Sequence, residues 1–316
     1  MILWWSMNEA LIKNSKTIKP NDLVLDDLKW KYLVRSVLKA KNILLVGPTG
    51  CGKTTAAKSV AKALNRDNKF FYFNIGSTQD ARSVLIGNTH FDKQAGTFFN
   101  KSAFINAIET PNSIILLDEI SRGHHDAWNI LMTVLDDHQR YVRLDESRET
   151  EVIKVAKGVC FIATANIGNE YTSTRVMDRA LMGRFPVKIE MKPLTMESEL
   201  ELLSDRFNIG KTEENYGLLK NFCEIAQHTR QQVAQDDSKI TNFIPTRSMV
   251  EVAELIVDGF NLLEIAETVI YPEFSEDGGV DSERTYIKQL VQKYVKVEAK
   301  STAFNDPLKE KTEVPF

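Results

Sequence analysis

The chain is poor in cysteine: Cys51, Cys160 and Cys223 are the three in 316 residues, odd in number and far apart. That spacing argues against a disulfide framework or a cysteine-based zinc site and fits a reducing compartment. Long hydrophobic runs are missing as well. No apolar stretch approaches the roughly 18 residues needed to cross a bilayer, and the opening Met1-Ile2-Leu3-Trp4-Trp5-Ser6 is too short for a signal peptide, so the expectation is a soluble, cytoplasmic protein with no membrane partner. Neither charge sign dominates. The net charge is −3, with acidic and basic residues mixed throughout, so the overall basic field of a dedicated nucleic-acid binder is absent, although local basic surface remains open. Sustained repeats and low-complexity tracts are not found. What the chain does have is apolar content, 43% of residues, enough for a substantial core, and a length that sets a prior of about two domains.

One run stands out. Gly47-Pro48-Thr49-Gly50-Cys51-Gly52-Lys53-Thr54 follows the apolar stretch Asn42-Ile43-Leu44-Leu45-Val46 and precedes a helical pattern from Thr54 to Leu64. A buried strand, a glycine-rich turn and a helix N-terminus bring several backbone N–H groups to one point, which is the chemistry of a phosphate cradle. Residues 47 to 54, with Thr55 behind them, are the nucleotide-binding candidates; Lys53 would reach the β- and γ-phosphates and the Thr54 hydroxyl would hold Mg²⁺. Cys51 reads as a small residue that fits the turn.

A second motif supplies what the first needs. Ser113-Ile114-Ile115-Leu116-Leu117 is suited to a strand buried on both faces, and it ends in Asp118-Glu119. Two carboxylates at such a point are costly unless they serve a cation or a proton transfer. Asp118 fits a residue that positions Mg²⁺ through its water shell, and Glu119 a base that polarises the attacking water.

Along the chain, residues 1 to 26 are mixed and poorly periodic, although Trp4 and Trp5 point to a docked segment. Residues 27 to 40 read as a helix feeding the first strand, and Lys69 to Asn74 as an aromatic-rich strand. A polar stretch containing Gly87 and Gly96 leads to a helix over Ser102 to Ile108, and a further helix covers Asp126 to Leu135. Tyr141 to Leu144 and Glu151 to Val155 flank a charged tip as a plausible hairpin. Gly158 to Thr164 reads as a fourth buried strand and Val187 to Met191 as a fifth. Strands alternating with helices predict an α/β fold with a mostly parallel five-stranded sheet covered on both faces, and nucleotide at the carboxyl ends of its strands. From Pro193 only helical periodicity remains: 196 to 207, 212 to 230, 246 to 258, 260 to 270 and 283 to 296. The expected division is an N-terminal segment (1–26), an α/β nucleotide-binding domain (27–192), a small helical lid domain (193–297) and a polar tail (298–316) with too little apolar content to fold alone.

Three further places refine the chemistry. Asn166, just past the fourth strand, could orient a lytic water or simply cap a turn. Arg179 and Arg184 lie just ahead of the fifth strand, where an arginine is ordinarily solvated. Arg247 sits in the first turn of a helix expected to be capped by Thr246, where a cation opposes the helix dipole and calls for an anionic partner.

Over roughly residues 27 to 272, these elements together resemble an AAA+ ATPase, and within that superfamily the MoxR-type branch with its relatives NorQ/CbbQ, GvpN and CobS. The resemblance rests on the phosphate loop, on Asp118-Glu119-Ile120-Ser121-Arg122, on Ala163-Thr164-Ala165-Asn166, on Ala180-Leu181 with Arg184-Phe185, and on Pro245-Thr246-Arg247-Ser248. It implies a P-loop AAA+ core with a helical lid, ATP and Mg²⁺ as cofactors, Lys53 and Thr54 as Walker A ligands, Asp118 and Glu119 as Walker B, Asn166 as sensor 1, Arg184 as the arginine finger with Arg179 as second candidate, and Arg247 as sensor 2. It also implies that Leu85 to Phe99 is a helix-2 insert and 140 to 157 a pre-sensor hairpin, both facing a ring pore in relatives. Ser121 departs from the family, which has Asn there. A finger beyond reach of its own nucleotide can act only on a neighbour, so the resemblance implies a homo-oligomeric ring, a hexamer in the family. The activity it implies is ATP-driven remodelling of a separately encoded partner, often one with a metal-dependent adhesion-type domain. Two alternatives stay open: a chelatase motor subunit like CobS, and a McrB-like nucleic-acid-associated NTPase, which a nucleotide-preference assay would separate.

Overall fold

Among the described residues, which are 2–77, 80–92, 96–144, 151–166, 177–235 and 237–303 of this computed structural model, the strands in chain order are β1 (Ile43–Val46), β2 (Phe70–Asn74), β3 (Gly87–Asp92), β4 (Gly96–Lys101), β5 (Ile114–Asp118), β6 (Tyr141–Leu144), β7 (Glu151–Lys154), β8 (Cys160–Ala165) and β9 (Val187–Glu190). Five of them form one parallel sheet in the order β2-β5-β8-β1-β9. In β1, β5 and β8 the period-two alternation of side chains sends residues to two separate cores, whereas the edge strand β9 buries one face. Ile43, Leu45, Ile114, Leu116, Cys160 and Ile162 enter one; Leu44, Ile115, Leu117, Phe161, Ala163 and Ala165 enter the other. Such double burial is why these runs are continuous in apolar residues instead of alternating.

Helices α1 (Ile2–Lys13), α2 (Asp27–Leu38), α3 (Lys53–Ala63), α4 (Ala81–Leu85), α5 (Ala103–Glu109), α6 (His125–Val134) and α7 (Arg179–Gly183) complete the first unit, which runs to Lys192. Helix α2 starts where Asp26 accepts from Leu28 N and Lys29 N at 2.9 and 3.1 Å, a local N-cap. Its Trp30 is fully buried and donates from Nε1 to Ser15 O at 2.8 Å, which ties the N-terminal segment to α2. Residues 1 to 26, poorly periodic in sequence, contain regular structure. Residues 2 to 13 form α1, and Leu11 and Ile12 pack against the core that holds Trp30. Apolar residues run around the start of this segment instead of along one stripe, so no helical period shows in the sequence.

The strands outside the main sheet are two antiparallel pairs, β3 with β4 and β6 with β7. The first lies in the polar stretch and overlaps the region likened to a helix-2 insert, running two residues past its end at Phe99. The second is the expected hairpin; its charged tip, 145–150, lies outside the described residues.

The second unit, from Pro193, is helical: α8 (Met196–Phe207), α9 (Glu214–Val233), α10 (Thr246–Val257), the single turn α11 (Leu262–Ile265), and α12 (Glu283–Ala303). Leu203, Phe222, Ile225, Val252 and Ile287 are among its buried residues. The helix expected over 260 to 270 is instead α11 followed by a π-helical turn at Ala266–Ile270 and a 3₁₀ turn at Tyr271–Glu273. Helix α12 runs into the predicted tail as far as Ala303, and the remainder lies outside the described residues. The expectation that Thr246 caps α10 is also corrected: Thr246 is its first helical residue, Pro245 occupies the cap, and no side chain caps the end. Proline has no N–H to leave unpaired in such a place. Among the described residues, no helix is long and apolar enough to cross a membrane.

Candidate nucleotide site

Strand register brings the candidate residues together. Val46 lies beside Ala165 and Leu117 beside Ala163, so β8 is the one strand between β1 and β5. The segments that leave these three strands at their carboxyl ends are the glycine turn, Asp118-Glu119 and Asn166. A parallel sheet gathers residues more than 100 positions apart in this way because all its strands end on the same edge.

Gly47 opens the turn. Its N–H donates to Ala165 O at 3.3 Å, its φ is 154°, and a Cβ there would stand 2.2 Å from the carbonyl oxygen of Met191. Only glycine lets the loop pass this close to the backbone that follows β9. Gly52, at φ 85°, is the N-cap of α3, a left-handed residue that turns the loop into the helix. Lys53 is buried, and its Nζ donates to Gly47 O at 2.8 Å and Pro48 O at 2.7 Å. Burial pushes its ammonium below the ordinary lysine range, while the neighbouring Cys51, Asp118 and Glu119 partly restore it. A desolvated cation inside a ring of backbone groups is matched to a polyanionic ligand. Cys51 is buried and its thiol pKa is raised by that burial, consistent with a packing role. Thr49 and Thr55 are on the exposed side of the loop and first helical turn, with Pro48 and Gly50 half-buried.

Asp118 is the hub. Thr54 Oγ1 lies 3.3 and 3.4 Å from its two carboxylate oxygens, the Tyr72 hydroxyl donates to Oδ2 at 3.0 Å, and the Thr164 hydroxyl donates to Oδ1. Thr164 Oγ1 also accepts from Glu119 N at 2.9 Å, so one hydroxyl links both acidic residues. Glu119 has left-handed backbone, φ 53° and ψ 40°, a conformation uncommon for a residue with a side chain and frequent at functional sites. Its Oε2 lies 3.5 Å from Arg122 Nη1. Asn166 is buried and donates from Nδ2 to Thr49 Oγ1 at 3.3 Å, which links the end of β8 to the phosphate turn.

Tyr72 and Thr164 were not singled out as ligand-positioning residues by the sequence. Thr164 had a readable signal, a lone hydroxyl in an otherwise apolar buried strand, which needs a partner. Tyr72 had none, because its role depends on β2 lying beside β5, with Asn74 opposite Asp118. Burial first, and Asp118 second, raise the Tyr72 phenol pKa, so it remains a proton donor.

Within the first unit, Arg184 and Arg179 lie apart from these residues. Arg184 follows α7; its Nη1 pairs with Asp136 Oδ2 at 2.7 Å and its side chain is 37% exposed. Its carbonyl accepts from Asn42 Nδ2 at 2.9 Å. Arg179 is exposed at the first position of α7. Arg247 is in the second unit, exposed on the first turn of α10, where it lines a cavity of about 480 Å³ with Ser248, Glu251 and Phe260.

A glycine turn at a helix N-terminus, a buried lysine, and a threonine hydroxyl facing an aspartate together fit a nucleoside phosphate with Mg²⁺, which takes hard oxygen donors from one or two carboxylates and the phosphates themselves. Residues 42–185 match the model for the AAA domain of the dynein-related subfamily. The chain is 29% identical over 225 residues to BssE of Thauera aromatica, described as a chaperone, covering 71% of this chain and 72% of that one. It is 29% identical over 254 residues to a mitochondrial Lon protease homologue of Dictyostelium discoideum, covering 76% of this chain but 25% of the homologue. The fold resembles the closed state of Hsp104 solved with ATPγS and FITC-casein, with a TM-score of 0.53 at 16% identity over 83% of this chain and 48% of that one. The chain thus spans most of BssE, about half of Hsp104 and a quarter of the Lon homologue. Residues 42–185 thus resemble the AAA domain of the dynein-related subfamily, and the chain is similar to proteins described as a chaperone and as Lon protease homologues.

Proposed function

We propose that the protein is a Mg²⁺-dependent ATPase that works as a homo-oligomeric ring, a hexamer by the MoxR-type resemblance, and remodels a separately encoded partner protein or complex in the cytoplasm. The observation that carries this reading is the convergence of Lys53, Thr54, Asp118, Glu119 and Asn166 at the carboxyl ends of three adjacent parallel strands. BssE's description as a chaperone favours remodelling over the chelatase and nucleic-acid alternatives.

In this reading Lys53 exchanges the Gly47 and Pro48 carbonyls for phosphate oxygens, and the loop N–H groups hold the β-phosphate. Thr54 and Asp118 would hold Mg²⁺, which would supply charge neutralisation on the phosphates. Glu119 accepts a proton from the attacking water, and Asn166 orients that water. The same asparagine, bonded to Thr49, reports the state of the turn. Arg184 stabilises charge on a neighbour's nucleotide. Support for action across subunits comes from its anchorage to Asn42, at the amino end of β1, whereas the phosphate turn starts at Gly47 beyond the other end. Five residues of extended chain separate the two by on the order of 15 Å, more than an arginine side chain spans.

The test is Glu119→Gln. It should bind ATP as tightly as the parent chain while turnover falls on the order of 10²- to 10⁴-fold, the usual worth of a positioned base. Hydrolysis at the parental rate, measured as phosphate release, would place the base elsewhere.

A further inference from the structure

The Arg184 guanidinium is held by a carboxylate that is itself held. Asp136 follows α6, is 8% exposed, and uses Oδ1 to accept the backbone N–H groups of His138 and Gln139 at 2.8 and 3.0 Å. That leaves Oδ2 for Arg184 Nη1 at 2.7 Å. The backbones on either side of this pair are stitched together as well: Asn42 Nδ2 donates to Leu135 O at 2.7 Å and to Arg184 O at 2.9 Å. Arg184 Nε is buried and makes no hydrogen bond among the described residues, so the near end of the guanidinium is enclosed while 37% of the side chain remains exposed.

We propose that Asp136 is a positioning residue for Arg184: it fixes one edge of the guanidinium against the subunit that owns it and aims the other edge outward at the adjoining subunit's nucleotide. This rests on the reading of Arg184 as the finger. A carboxylate fastened by two backbone N–H groups cannot follow the arginine if it swings, so the pair acts as a fixed bracket. Fixing the guanidinium in advance removes rotamer freedom that would otherwise be lost at each turnover. The two backbone bonds, and then Arg184, keep the Asp136 carboxyl below its ordinary range, so the bracket stays charged at neutral pH.

Asp136→Asn separates the bracket from the turn. The amide oxygen still accepts from His138 and Gln139, but the amide nitrogen cannot accept from Arg184. Steady-state ATP turnover, ATP affinity by titration, and thermal melting are measured for Asp136→Asn, Arg184→Ala and the double variant, all at concentrations where rings form. The expected result is a kcat about 10- to 100-fold lower for Asp136→Asn, the range for a displaced catalytic group, with affinity and melting unchanged and the double variant no slower than Arg184→Ala alone. Parental kcat in Asp136→Asn alongside a dead Arg184→Ala would overturn the bracket and leave the finger standing. A double variant slower than Arg184→Ala, or a lowered melting temperature in Asp136→Asn, would show Asp136 acting on the fold and also overturn it. Retained turnover in Arg184→Ala rings would remove the finger and the bracket together.

Discussion

Asp118 is the most constrained polar group of the site, with three hydroxyls aimed at one carboxylate. If Thr54 turns toward a metal, Tyr72 and Thr164 still fix both carboxylate oxygens, so the geometry offered to a cation does not depend on the residue that shares it. Tyr72→Phe removes one of these bonds without changing shape. We expect the Mg²⁺ concentration for half-maximal turnover to rise several-fold, ATP affinity at saturating Mg²⁺ to hold, and stability to change by about 1 kcal/mol. A Mg²⁺ titration that overlays the parent's would show Tyr72 to be a bystander. Glu119, two bonds from the same hub, illustrates a different residue-scale fact: its left-handed backbone turns the chain sharply after β5, and the side chain then meets Arg122.

At the level of elements, the joint between β1 and β9 decides where the phosphate turn sits. Met191 N donates to Val46 O at 2.7 Å, so the backbone following β9 is hydrogen-bonded where Gly47 begins to turn. Gly47→Ala would drive a methyl into the Met191 carbonyl, with no flexible side chain to give way. The expected outcome is a loss of about 1–3 kcal/mol by chemical denaturation, together with weakened nucleotide binding; a variant as stable as the parent would mean that the turn is free to move. The elements that misled sequence reasoning share a cause. Helix α1 lacks an apolar stripe, the start of α10 is capped by backbone geometry around Pro245 and not by Thr246, and the 260–270 segment packs as a π-turn between α11 and a 3₁₀ turn. In each case the sequence pattern does not fix how the backbone hydrogen bonds are laid down.

For the molecule as a whole, the proposed division of labour between subunits makes turnover a property of the assembly. Specific ATPase activity should climb with protein concentration over the range in which light scattering reports ring formation. Small fractions of Arg184→Ala chains mixed into parental rings should reduce activity more than in proportion. Activity per chain that stays constant down to the monomer would end the shared-site reading. The free thiols fit such a machine working without disulfides: Cys51, Cys160 and Cys223 are all buried, and burial pushes Cys160 up to about 12.

The sequence by itself determined the parallel α/β sheet and the helical region beyond Pro193, because doubly buried strands require continuous apolar runs and helices require a period near 3.6. It also determined the glycine turn and the Asp118-Glu119 pair, since each depends on residues adjacent in the chain. Only the tertiary structure decided that Thr164 and Tyr72 close around Asp118, that Asn166 reaches Thr49, and that Asp136 grips Arg184. Those contacts join positions 46 to 117 residues apart; strand order and register bring those around Asp118 and Asn166 within hydrogen-bond reach, and the packing of α6 against α7 does so for Asp136 and Arg184.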